Sequence, residues 1–269
     1  MVPASAQRGF TLIEMVMVIV ILGVIGATVA VFMRKPVDAY VDTARRAALS
    51  DLADTAVRRM ARDIQRALPN SIRNPGNQCV EFIPTRTGGR YRAQTTAAGA
   101  GDILDFSAAD TSFGVFGNLA AVPAEQQVRA GDVVVVYNLG IAGADAYAGD
   151  NTAVVTSVAS AAESTIGIAS KLFPLASGGN RFHVVPGDEK IVAFVCSGGK
   201  LYRSSNHAYG NSCPTAGAAL LADRVASCNF VYNDSDLQRN ALVQMTMVLT
   251  DSAGESVSLY HEVHVSNTP

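Results

Sequence analysis

The chain has 269 residues, a net charge of −2 and no tryptophan, and 49% of its residues are hydrophobic. That balance excludes a strongly basic surface for nucleic acid. About 200 residues follow the N-terminal helical stretch, enough for one sizeable core or two small ones.

The first nine residues, Met1 to Gly9, form a short polar leader whose only charged side chain is Arg8. From Phe10 to Met33 the only charged side chain is Glu14. A run of about 20 apolar residues is long enough to cross a bilayer as a helix. A carboxylate inside such a run costs about 2.5–3.5 kcal/mol, so a partner for Glu14 is expected. A secretory signal peptide would show a small-residue cleavage site after its apolar region. Met33-Arg34-Lys35-Pro36 stands there instead. A plain membrane anchor leaves Gly9-Phe10 at the start of the run unexplained.

Residues 10–68 read as one long helix with a break at Pro36, where a backbone donor is missing. Beyond it, Val37, Val41, Ala44, Ala48, Leu52, Ala56, Met60, Ile64 and Leu68 recur at spacings of three and four, the mark of an apolar helix face. Asp42 with Arg46 and Asp54 with Arg58 add supporting i,i+4 pairs, acid first. The cations Arg58, Arg59, Arg62 and Arg66 read as a solvated face. Pro69-Asn70 ends the helix, which at 1.5 Å per residue is a rod of roughly 90 Å.

Strands are expected at Cys79–Ile83, Asp102–Phe106, Asp132–Asn138, Thr152–Val158, Ser164–Ile168, Phe182–Val185, Ile191–Cys196, Lys200–Arg203, Asn229–Tyr232, Leu242–Thr250 and Ser256–Val265. Ser197-Gly198-Gly199 reads as a short hairpin connection. In Leu242–Thr250 the face of Val243, Met245, Met247 and Leu249 is the core side. The Gly/Ala/Thr-rich segments 94–101, 140–151 and 174–180 read as loops.

Cys79, Cys196, Cys213 and Cys228 all lie beyond the helix, without a C-x-x-C pair. An even number in an exported domain points to disulfides rather than a zinc site. Cys196 and Cys213 bracket a short hairpin, which favours that pair and leaves Cys79 with Cys228.

Arg8-Gly9-Phe10-Thr11-Leu12-Ile13-Glu14 resembles the processing site of type IV prepilins and type II secretion pseudopilins. Leader, basic residue, Gly, Phe and the embedded Glu all match. The resemblance implies cleavage after Gly9 by a prepilin peptidase and N-methylation of Phe10. It implies that Glu14 attracts the amine of Phe10, in its own subunit or a neighbouring one, and so sets register during assembly. The tracts 36–46, 58–64, 67–71, 79–84, 227–232 and 261–269 further resemble minor prepilins of the mannose-sensitive haemagglutinin (MSHA) type IV pilus. PilW-like and GspJ-like minor subunits share the general plan.

The implied fold is α+β and type IV pilin-like: a long N-terminal helix packed on an antiparallel, β-rich C-terminal domain. The expected division is leader 1–9, transmembrane and assembly helix 10–35, amphipathic stalk 36–69 and periplasmic domain 70–269. The protein would sit in the inner membrane as a single-pass subunit before entering the filament. Its partners would be the peptidase, other major and minor pilins and the inner-membrane assembly platform. No cofactor is implied. A distal domain of this size is bulky for a repeating subunit, which favours a minor subunit that initiates or caps the pilus. A GspJ-like pseudopilin and a pilus-tip adhesin using loops 140–151, 174–180 and 205–212 are the competing readings.

Other chemistry is weakly signalled. His261 and His264, three apart in a strand, point to opposite faces and cannot readily share an ion. Asp234 and Asp236 offer a weak Ca²⁺ loop without the Gly and terminal Glu of an EF-hand. The chain carries neither a phosphate-binding Gly-rich loop with Lys-Ser/Thr nor a G-x-S-x-G elbow, so no enzyme is expected.

Overall fold

The computed structural model describes residues 9–205, 213–233 and 240–269. One helix, α1 (Leu12–Ile64), is followed by β1 (Arg73–Gly76), β2 (Cys79–Phe82), β3 (Thr87–Arg90), β4 (Asp110–Phe116), β5 (Val133–Val136), β6 (Thr152–Ala159), β7 (Glu163–Lys171), β8 (Arg181–Val185), β9 (Val192–Ser197), β10 (Lys200–Ser205), β11 (Ala219–Ala222), β12 (Val225–Asn233), β13 (Asn240–Thr250) and β14 (Ser256–Ser266). This is an α+β, type IV pilin-like arrangement of one long helix with antiparallel sheets. Contacts divide the chain into a unit ending at Ala48 and a unit of Leu49–Pro269.

The first unit holds the apolar part of α1. The residues on either side of Pro36 are helical, so the expected break does not interrupt α1, although proline removes one donor from the ladder. Val37, Val41, Ala44 and Ala48 are exposed, so the apolar face read from Val37 onward is not buried over its first part. Asp42 lies 3.8 Å from Arg45, three residues on, within this exposed stretch.

In the second unit, the buried stripe of α1 is Leu49, Ala53, Ala56, Val57, Met60, Ala61 and Ile64. The three- and four-residue steps place these on one side. The helix stops at Ile64 rather than at the expected Leu68. Leu68 N turns to Ile83 O at 2.8 Å, and Ala67 forms a bridge with Pro84. Strand-type pairing wins over the last helical turn because it satisfies the same backbone groups.

Among the described residues three sheets complete this unit, with orders β1-β2-β9-β10-β11, β12-β13-β14 and β3-β8-β5-β6-β7-β4. The stripe of α1 packs with Phe82, Phe194, Leu201, Val243, Met245 and Met247 from the first two sheets. The third sheet is inserted between β2 and β9 and has its own core, with Tyr91, Phe113, Val134, Val136, Ile166 and Phe182. Its outer strands β3 and β4 meet at the Tyr91–Val115 bridge, and Arg92 N donates to Gly114 O at 2.8 Å. The sheet therefore closes on itself, which removes two edges. All four valines of β5 are buried. Val134 and Val136 face this core, while Val133 and Val135 join Leu68, Ile83 and Ile191 in a seam between the lobes.

The expected strand at Asp102–Phe106 is an extended segment outside the ladders: Leu104 N bonds Arg92 O and Gly114 N bonds Asp102 O. Four strands, β1, β3, β4 and β11, lie outside the expected set. Residues 73–76 (RNPG) and 87–90 (TGGR) carry turn residues instead of an alternating apolar pattern. In the β9–β10 connection Gly198 and Gly199 have φ of 57° and 73°; two positive values suit a tight hairpin turn, which glycine adopts without penalty.

The disulfides are Cys79–Cys213 and Cys196–Cys228, which overturns the expected pairing. Cys79 stands opposite Val195 across β2–β9, so the two side chains share a face. Cys196, the next residue on β9, faces the other way into the core around α1, where Cys228 lies. Cys79 instead packs with Ala193, Val195 and Cys213.

Candidate assembly site at the helix N-terminus

α1 begins at Leu12 immediately after Thr11. Thr11 N and Thr11 Oγ1 each donate to Glu14 Oε2 at 3.1 Å, and Glu14 N donates to Thr11 Oγ1 at 3.4 Å. This is a reciprocal capping box: the first backbone donors of the helix have no partner within it, and the carboxylate also opposes the positive end of the helix dipole. Thr11 is not among the residues expected from the sequence, although the Thr-x-x-Glu spacing is the signal that marks it. Glu14 thus has a hydrogen-bond partner, Thr11, within its own subunit.

Gly9 and Phe10 precede the helix, and Phe10 is 89% exposed. A Cβ on Gly9 would meet nothing within 4 Å. Gly9 and Phe10 are therefore exposed residues leading directly into the capped helix. From Leu12 to Met33 the apolar side chains are exposed, and α1 is long and apolar enough to cross a membrane. Such a surface requires a non-aqueous environment or neighbouring helices.

Residues 4–30 match the family described as "Prokaryotic N-terminal methylation motif". The motif, together with the apolar helix, supports a type IV pilin-like protein. It implies processing by a prepilin peptidase, assembly with other pilins and a membrane anchor. Curated proteins and solved structures give no match to the chain.

The remaining predicted sites lie further along the chain, beyond Ala48. Asp234, Asp236 and most of the 205–212 loop lie outside the described residues. His261 and His264 pair with Met245 and Leu242 respectively and lie on opposite faces of β14. Arg58, Arg59, Arg62 and Arg66 are exposed, with Arg58 Nε 2.5 Å from Asp54 and Arg66 donating to Thr85 O at 3.1 Å.

The other predicted loops are tied down. Arg73 bonds Asp145 at 3.1 Å and stacks 3.4 Å over the Tyr147 ring, while Tyr147 donates to Ser71 O at 2.8 Å. Burial pushes the Glu81 carboxyl up, and nearby Arg73 opposes that shift. In the 174–180 segment Ser177 is buried, and its N donates to Tyr91 Oη at 3.1 Å. Burial, with the neighbouring Arg181 charge, lowers His183 on β8 to about 4.

Proposed function

We propose that this chain is a minor type IV prepilin of the MSHA kind, MshO-like, which initiates or caps the filament at or near its tip. A prepilin peptidase cuts between Gly9 and Phe10, and Phe10 becomes the methylated N-terminus. Before assembly the residues around 10–35 hold the subunit in the inner membrane, with residues 70–269 in the periplasm and 36–69 as the stalk between. Assembly then transfers the apolar helix from lipid to the bundle of neighbouring pilin helices on the inner-membrane platform.

The observation that carries this reading is the methylation motif at the mouth of an exposed apolar helix. The closed six-stranded lobe inserted between β2 and β9 supports the minor role, because it adds bulk that a densely repeating subunit would have to accommodate at every position. The ties on loops 140–151 and 174–180 favour a structural role over a tip adhesin with adaptable loops.

Glu14 acts at two moments. In the membrane it caps its own helix through Thr11; in the filament its charge attracts the Phe10 amine of a neighbour. Opposite charges in an apolar bundle attract strongly, whereas either alone is heavily penalised. Glu14→Ala should therefore insert in the membrane but enter filaments at about a tenth of the normal level or less. Normal incorporation of this variant removes the register role.

The first test is quantitative mass spectrometry of sheared surface filaments against the membrane fraction. A methylated Phe10 N-terminus, present in filaments at a small fraction of the major subunit, is the expected result. Processed protein that stays in the membrane would replace this reading with a GspJ-like pseudopilin.

A further inference from the structure

The sheet β12-β13-β14 has unequal edges. On the β12 side, Phe230 N donates to Asn77 O at 2.7 Å and Val225 N to Gly199 O at 2.9 Å, so neighbouring hairpins cover that edge. On the β14 side, no backbone bond arrives from outside the sheet among the described residues.

The hairpin geometry identifies which β14 groups face out. Asp251 N donates to Glu255 O at 2.9 Å, which makes these two a mutually facing pair. Alternation then turns Val257, Leu259, His261, Val263 and Val265 toward β13. The backbone N–H and C=O groups of Ser256, Ser258, Tyr260, Glu262, His264 and Ser266 point away from it. These residues are exposed, and β14 is 11 residues long and free of proline and lysine, the residues that commonly block an edge.

Beside this edge runs a groove of about 400 Å³ lined by Thr55, Arg58, Ala61, Arg62, Gln65 and His261. Asp54 engages Arg58, and Arg62 has no ion-pair partner among the described residues. Glu262 projects on the opposite face of β14, where Gln244 of β13 donates to its Oε1 at 3.2 Å. The groove side of the edge is therefore cationic.

We propose that β14 and this groove form a docking site for an extended acidic segment of another protein chain. The segment adds as a further strand, its backbone pairing with the outward groups of β14 and its carboxylates, at alternate positions, facing Arg62. A second copy of this chain is a poor occupant, since the matching face of its own β14 offers His261 and valines in place of carboxylates.

The test uses the full chain in detergent micelles and two fluorescein-labelled nonapeptides, one alternating glutamate with threonine and one alternating lysine with threonine. Fluorescence anisotropy should show binding of the glutamate peptide and little of the lysine peptide. Tyr260→Pro removes an outward N–H while sparing the β13 ladder. It should weaken binding about tenfold or more with little change in the thermal midpoint. Arg62→Glu, which leaves the edge intact, should weaken the glutamate peptide about fivefold or more and improve the lysine peptide. Hydrogen exchange should slow at Ser258, Tyr260 and Glu262 when the glutamate peptide is bound. Equal binding of both peptides, undiminished binding by Arg62→Glu, or unchanged exchange at those amides overturns the proposal. Should Tyr260→Pro unfold, the Arg62→Glu and exchange results decide.

Discussion

The two parts of α1 share one backbone conformation and differ in what their apolar side chains touch. Between Leu12 and Met33 these side chains are exposed. From Leu49 to Ile64 they form a stripe buried against two sheets. An apolar segment without a polar face cannot be satisfied by one sheet and needs a surrounding apolar medium, whereas a periodic one can be completed by its own chain. The division after Ala48 falls where the first kind of environment gives way to the second.

The sharpest way to break this contrast is to place the same charge in each part. Met60, 1% exposed, changed to Asp should destabilise the folded lobe by about 4 kcal/mol or more, since the carboxylate would have no partner. Thermal unfolding followed by circular dichroism measures that loss. Val24→Asp should leave the midpoint of the lobe unchanged but impair membrane insertion, by about 3 kcal/mol, read as a shift out of the membrane fraction. Equal midpoints for both variants would erase the distinction.

The next effect belongs to the inserted lobe. His183 is held neutral in the fold, its value lowered to about 4, while the unfolded chain takes up the proton near 6.5. The unfolded state therefore binds more protons between these values, and stability falls as pH drops from about 6.5 to about 4, by about 3 kcal/mol in total. His183→Gln should flatten that part of the stability–pH curve; an unchanged slope assigns it to other groups.

Smaller again is the polar tie that holds the buried part of α1. Arg203 Nε bonds Asp63 at 2.7 Å and its Nη1 bonds Glu189 at 2.6 Å. Arg203→Ala should cost about 2 kcal/mol in denaturant unfolding and leave membrane insertion intact. Smallest is Arg58→Ala, which removes an exposed pair with Asp54 and should not shift the thermal midpoint measurably.

The legible features were those written in local order. The methylation motif over residues 4–30, the apolar run and the Val243, Met245, Met247, Leu249 face all follow from neighbouring residues and a fixed period. Thr11 is equally local, because the Thr-x-x-Glu spacing marks the cap, but it lies outside an expectation built on the Phe10 amine. The inserted lobe was harder to read. β3 and β4 find partners far along the chain, and their glycines hide the alternation, although Gly89 is needed where Phe182 lies within 2.9 Å of the position a Cβ would take. The disulfides failed for a related reason: closeness along the sequence favoured Cys196 with Cys213, whereas facing in the sheet selected Cys228.

By itself the sequence determined the membrane-compatible helix, its processing motif, the amphipathic end of the helix and the α+β class, because each depends on chemistry within a few turns or strands. Only the tertiary structure decided that α1 ends at Ile64, that a closed sheet is formed by the chain segment running from β2 to β9, which cysteines meet and which strand edge stays open among the described residues. Those outcomes depend on register, and a shift of one residue along a strand turns its side chains to the opposite face.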